Sequence, residues 1–118
     1  MASLKPQETE LCRSRGDTEP MVFTIKDGDG NVIDVSGWSF LFTVDPAPDP
    51  TTTANNLFQL TGSFVTDGTD GQVQFEPSAV EMDQTPDTYF YDLQRTDGAG
   101  KIRTLMKGSF IVLPDITK

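Results

Sequence analysis

The run Trp38-Ser39-Phe40-Leu41-Phe42-Thr43-Val44 places a large apolar residue at every second position. Successive side chains of an extended strand point to opposite faces, so Trp38, Phe40, Phe42 and Val44 share one face and Ser39, Leu41 and Thr43 the other. Three aromatic rings on one face make this run the expected centre of a hydrophobic core, with Trp38 and Phe40 buried there. Upstream, Met21, Phe23 and Ile25 alternate with Val22, Thr24 and Lys26 in the same way. Asp27-Gly28-Asp29-Gly30-Asn31 turns the chain between the two runs, and Asp34-Val35-Ser36-Gly37 is a second bend leading into the Trp38 strand.

The remainder of the chain repeats this grammar of short strands and Asp/Gly turns. Residues 1–9 are polar, contain Pro6 and are expected to form an extended arm, with a domain over 10–118. Glu10 to Arg15 reads as a first strand, with Leu11 and, as a second candidate, Cys12 facing inward. Pro46, Pro48 and Pro50 open the least patterned stretch, which runs to Asn56. Alternating prolines hold their predecessors extended, so this is a stiff loop. Leu57 to Thr66 resumes a strand with Gly62 at a bulge. Asp67 to Gly71 turns into the Val73 and Phe75 strand, and Pro77 to Met82 is the one helical turn expected. Thr88 to Thr96 is a strand with Tyr89, Tyr91 and Leu93 on one face. Asp97-Gly98-Ala99-Gly100 closes a hairpin into Lys101 to Leu113. Strands at this spacing without intervening helices point to an all-β sandwich.

Charge and residue usage exclude several functions. The net charge is −9, from 9 basic and 18 acidic residues. Such a chain gains no counterion-release energy from nucleic acid, so neither nucleic acid nor an anionic membrane is an expected partner. The apolar runs are too short to span a bilayer as a helix, and the first residues lack the apolar stretch of a signal peptide. The chain is expected to be made in a cytosol and to remain soluble. It has one cysteine, Cys12, and no histidine, which removes intramolecular disulfides, His/Cys zinc sites and Ser-His or Cys-His catalysis.

Two motifs and one carboxylate invite chemistry. Asp27, Asp29 and Asn31 match the first three oxygen positions of a calcium-binding EF-hand loop, and they are the metal candidates. The match then fails, with Val32 where Gly is required and Trp38 where the bidentate Glu belongs. A metal-free turn is the reading that fits, and no cofactor is expected. Arg15-Gly16-Asp17 spells the integrin tripeptide but lies between two strands, where it reads as a structural turn. Asp92 falls mid-strand on the outer face with Phe90 and Gln94, where Arg103 or Lys107 on the following strand could face it. No pair of carboxylates is set in a cleft, so no catalytic residue is assigned and no small-molecule substrate is expected. Leu41 and Phe90, apolar on outward faces, are expected to contact another protein.

Order and spacing of these elements resemble a tailed-phage pattern. Arg15-Gly16-Asp17-Thr18, an apolar strand, and Asp29 through Gly37 resemble a GDT, strand, D-G-x-P-x-D-L-T-G sequence, with Val32 in place of its Pro. Tyr89-Phe90-Tyr91-Asp92-Leu93 resembles its Y-x-Y-D-L strand. Asp97 through Gly108 resembles its D-x-x-G-x-x-x-T-L-x-x-G hairpin, and Phe110, Val112 and Asp115 to Lys118 its close. The family is that of the immunoglobulin-like domains of tailed-bacteriophage virions, similar to the N-terminal domain of phage baseplate upper proteins. The resemblance covers roughly residues 15–118. It implies an immunoglobulin-like antiparallel β-sandwich of about seven to nine short strands.

The same resemblance implies a non-enzymatic virion structural protein of the tail or baseplate, in a symmetric multi-copy assembly with other virion proteins. Since the larger baseplate proteins continue into a receptor-binding extension, a chain ending here is expected to be an adaptor or minor component. A capsid decoration or head–tail protein is the alternative, and a host-carbohydrate-binding module a further one. The expected contact residues are Leu4, Lys5 and Pro6 of the arm, Pro46, Pro48 and Pro50 of the loop, and Leu41 and Phe90.

Overall fold

The computed structural model describes residues 7–50 and 56–116. Nine strands follow in order: β1 (Gln7–Glu8), β2 (Leu11–Ser14), β3 (Met21–Thr24), β4 (Ser39–Asp45), β5 (Phe58–Thr61), β6 (Ser63–Phe64), β7 (Gln72–Phe75), β8 (Asp87–Thr96) and β9 (Ile102–Leu113). A six-stranded sheet has the order β1-β9-β8-β4-β5, with β2 also pairing β9, and a three-stranded sheet has the order β3-β7-β6. All pairings are antiparallel except those of β1 and β2 with β9, which are parallel. The described residues contain no α-helix. The fold is an all-β, immunoglobulin-like sandwich.

Alternation in β4 decides where the core lies. Phe40, Phe42 and Val44 are buried, while Ser39, Leu41 and Thr43 face outward and retain exposure. The ring of Phe42 packs against Phe23 and Phe75 of the smaller sheet, at 6.2 and 5.4 Å, and against Tyr91 and Phe110 of the larger one, at 5.3 and 6.1 Å. One side chain thus touches aromatic rings from both layers. Trp38 departs from the expectation of central burial. It precedes β4, and its indole is only partly covered at the rim, tilted against Phe40 and lying under the Arg95 guanidinium at 4.9 Å. The core is centred one alternation further along, on Phe42.

Chain crossings between layers rest on specific residues. The strand expected from Leu57 to Thr66 is broken at Gly62, where β5 leaves the larger sheet and β6 joins the smaller one. A Cβ there would lie 2.8 Å from Val73 and 2.9 Å from Phe40, so the corner closes only without a side chain. At the other end of the sandwich, the Tyr89 hydroxyl donates to the Thr85 carbonyl at 2.5 Å. This is the tyrosine corner of immunoglobulin-like domains, made at the start of β8. The expected helical turn is a single turn: Met82 N–H bonds the Ser78 carbonyl at 3.0 Å, and Ser78 and Glu81 cap each other reciprocally at 2.8 and 3.1 Å. It delivers Met82, fully buried, into the core.

The N-terminal boundary differs from the expected one. Gln7 and Glu8 pair with Met106 and Lys107, and Thr9 N–H bonds the Lys107 carbonyl at 3.1 Å, so residues 7–9 of the expected arm belong to the larger sheet. Residues 1–6 of that arm lie outside the described residues. The Thr9 carbonyl turns inward and accepts the Tyr91 hydroxyl at 2.6 Å, crossing β9 at Gly108, where any Cβ would collide with the Thr9 backbone. In β2, Leu11 faces inward and Cys12 outward, since neighbours in a strand cannot share a face; Cys12 is exposed. Arg13 closes the seam between β2 and β3, donating to the Glu19 and Pro20 carbonyls at 3.0 and 3.3 Å.

Truncating Phe42 to Ala is expected to destabilise the fold by about 3–5 kcal/mol in urea denaturation, the range for buried aromatic residues. Val22→Ala, on the outer face of β3, is expected to stay within about 0.5 kcal/mol. A second expectation concerns alkaline pH. Burial pushes the Tyr91 hydroxyl up to about 12 from an ordinary 10.0. A folded-state value raised above the unfolded one means stability intact below pH 10 and lost as pH climbs toward 12. Denaturation midpoints against pH should show that loss, and Tyr91→Phe should flatten it, leaving only the smaller contribution of Tyr89, whose hydroxyl burial also raises.

Candidate functional site

The outer face of the larger sheet gathers the residues expected to meet a partner. Register places Glu8 of β1, Lys107 of β9, Asp92 of β8, Thr43 of β4 and Gln59 of β5 in one row across it. Gln59 donates to the Thr43 hydroxyl at 3.2 Å. In the adjacent row stand Ser109, Phe90 and Asp45. Asp45 has outward parity, yet it is only 4% exposed, because the proline-rich loop folds over it.

Asp45 holds both ends of that loop. One carboxylate oxygen accepts the Ala47 N–H at 2.8 Å and the other accepts the Asn56 side-chain amide at 2.6 Å. An Asp bonding the backbone two residues on is a turn device. Here it also ties the loop's end back to its beginning. The clamp brings Pro48 and Pro50 beside Phe90, and between them is a concavity of about 100 Å³ reaching Asp92 and Lys107. Three of the expected contact residues therefore meet. Leu41 lies on the same sheet face opposite Gln94, half-buried and outside the concavity, and Pro46 is exposed at the loop's start. Leu4, Lys5 and Pro6 lie outside the described residues. Asp45 is the residue that sequence reasoning missed. Its signal was an Asp ending an alternating strand immediately before the prolines.

Asp92 bears a cost on this face. It faces Lys107 in the register, as the sequence suggested, but it takes no part in the ion pairs seen at Arg13–Asp17, Arg15–Asp83 and Arg95–Asp97. Desolvation on the half-covered sheet surface raises the Asp92 carboxyl above its ordinary value. The concavity offers apolar walls, the carboxylates of Asp45 and Asp92 and the Lys107 ammonium.

The motifs with chemical connotations are turns. Asp27 closes Asp27–Asn31 with one carboxylate oxygen, which accepts the N–H groups of Asp29 and Asn31 at 2.9 and 3.0 Å. Asp97 closes Asp97–Lys101 identically, accepting from Ala99 and Lys101 at 2.9 and 2.9 Å. In both, the fourth residue is a glycine with positive φ, 83° at Gly30 and 81° at Gly100, the type I turn plus bulge of three-residue hairpins. The backbone bond with Lys101 is the largest influence holding the Asp97 carboxyl below its ordinary value. Among the described residues no group of three or more His, Cys, Asp or Glu is arranged to hold a metal ion. The integrin-like tripeptide is committed too. Arg15 clamps Asp83 through two nitrogens at 2.7 Å, Gly16 N–H bonds the Met82 carbonyl and Asp17 N–H the Ser14 carbonyl.

No protein-family model matches the chain, and no curated protein matches it. Among solved structures it is similar to CopC from Methylosinus trichosporium, with 10% identity and a TM-score of 0.47 over 96% of this chain and 88% of that one. It is also similar to AggA, the major subunit of aggregative adherence fimbriae type I from Escherichia coli. There the identity is 14% and the TM-score 0.41, over 92% of this chain and 91% of that one.

Asp92→Asn is expected to stabilise the domain at neutral pH. A carboxyl raised in the folded state favours folding below its unfolded value near 3.8 and opposes it once pH has risen through the folded one. The gain should therefore shrink toward zero in acid, as denaturation at pH 7 and pH 3 would show. Calcium added to the protein is expected to leave the thermal midpoint unchanged, because Asp27 is occupied by its own turn. A concentration-dependent rise abolished by Asp29→Ala would overturn that reading.

Proposed function

We propose that the chain is a non-enzymatic structural protein of a tailed-phage virion, a tail or baseplate component that docks on other virion proteins. The observation that carries the reading is the resemblance in order and spacing between its strand and turn motifs and those of virion immunoglobulin-like domains. The residues of that resemblance are also the ones that frame this fold. Tyr89 forms the tyrosine corner, Leu93 is fully buried, and Asp97 and Gly100 build the hairpin turn. Tyr91 and Gly108 receive the Thr9 carbonyl. Each of these roles is architectural, as a scaffold requires.

Docking runs through the outer face of the larger sheet, where Pro48 and Pro50 stand beside Phe90. Rigid prolines and an aromatic ring lose little conformational entropy on contact, which suits them to a protein interface. With a net charge of −9, the chain meets least repulsion from a neutral or basic partner surface. Many copies in a ring multiply a modest contact into a firm one.

Mass spectrometry of purified particles should detect the chain at a copy number matching the symmetry of the tail or baseplate. A copy number matching the capsid lattice would relocate it to the head, and absence from the particle would overturn the proposal. Phe90→Glu should leave the domain folded by circular dichroism while sharply reducing its incorporation. Normal incorporation of that variant would exclude this face as the docking surface.

A further inference from the structure

The chain enters and leaves this fold at opposite ends of a single strand pair. β1 and β2 run parallel to β9 in one register, from Gln7 opposite Met106 to Ser14 opposite Leu113. At the usual rise per residue the overlap is about 23 Å long. It continues beyond β2, where Arg15 N–H bonds the Leu113 carbonyl at 2.8 Å. Gln7 therefore stands at one end of the overlap and Leu113 at the other.

Tension between those two points displaces β1 and β2 along β9 rather than away from it. The hydrogen bonds of the overlap then resist together, because none can open before its neighbours have moved as well. Strands pulled apart from a common end separate one pair at a time and resist far less. Sliding meets a second obstacle at Thr9. Its carbonyl turns out of the ladder, passes over Gly108 and is held by the Tyr91 hydroxyl of β8, so a third strand pins the first to the last. A slip of one residue would exchange the inner and outer faces of β2. A slip of two would set the side chain of Met106 or Phe110 where Gly108 must be bare.

The far end of the overlap, at Ser14 and Leu113, is fastened to the rest of the sandwich. Arg15 is fixed to Asp83 by two nitrogens, and Arg13 to the carbonyls that lead into β3. Force reaching the end of β2 is therefore passed to the turn that carries Met82 and to the smaller sheet. We propose that β1 and β2 against β9 form a shear clamp, pinned by Tyr91 and Thr9 across Gly108, that makes this domain resist tension applied between its two ends. The proposal is independent of the virion reading, since it concerns the response of the isolated chain to force.

Single-molecule force spectroscopy on the full chain tests it, with Cys12→Ser throughout so that handles attach only where intended. Handles at Ala2→Cys and Lys118→Cys load the clamp in shear. Handles at Ser14→Cys and Lys118→Cys load the same interface from one end. The expected result is an unfolding force severalfold higher in the first geometry, although the same bonds break in both. Equal forces would overturn the clamp. Tyr91→Phe should lower the force in the first geometry and leave the second unchanged. If the force in the first geometry ignores that substitution, the pin is overturned. The comparison of geometries needs only the unsubstituted tyrosine, so it decides the clamp even if Tyr91→Phe folds poorly.

Discussion

The contact of Phe42 with four aromatic rings from two sheets is what the rest of the structure depends on. Burial in a sandwich this thin requires each layer to offer its apolar face at the same height. Phe42 sets that height, touching Phe23 and Phe75 on one side and Tyr91 and Phe110 on the other. Much else is an adjustment around it. Gly62 lets the chain cross from one layer to the other without displacing Val73 or Phe40, and Trp38 with Arg95 caps the rim where the aromatic packing ends.

Alternation makes most of this legible in the sequence. The inward sets of β3, β4, β7 and β8 were readable, because a face that must be buried fixes the parity of a strand. What parity cannot convey is where a strand begins. Trp38 obeys the alternation but stands just outside β4, so it is half-covered rather than central. Nor does parity reveal pairing partners far apart in sequence. Gln7 and Glu8 carry no apolar pattern that would announce their pairing with Met106 and Lys107, and Gly108 gives no local hint that Thr9 passes across it. At the candidate surface, Phe90 and the prolines were readable as outward or unpatterned. Asp45 was not, because its burial comes from a loop that returns to it after eleven residues.

Two of the tight turns share one chemical solution. Asp27 and Asp97 each present a carboxylate oxygen to two backbone N–H groups, and each relies on a glycine three residues later for the left-handed conformation. Much of the acidic character is therefore structural in origin. It belongs to the turns at one end of the sandwich, where carboxylates replace missing ladder bonds. Asp34 and Asp67, held below their ordinary values by Ser36 and Thr69, extend the same pattern. Four of the eighteen acidic residues are thus accounted for by turn geometry, with no acidic binding function needed to explain them.

The clamp made by Asp45 has an evolutionary corollary. Because one side chain fixes both the first and last residues of the loop, whatever lies between can change without altering the register of β4 and β5. The entropy of closing a loop grows only slowly with its length, so insertions there cost little once the ends are held. The strands and the loop are then free to diverge at different rates, the first conserving a scaffold and the second sampling new surfaces. A single aspartate thus uncouples the frame of the domain from the loop that it closes.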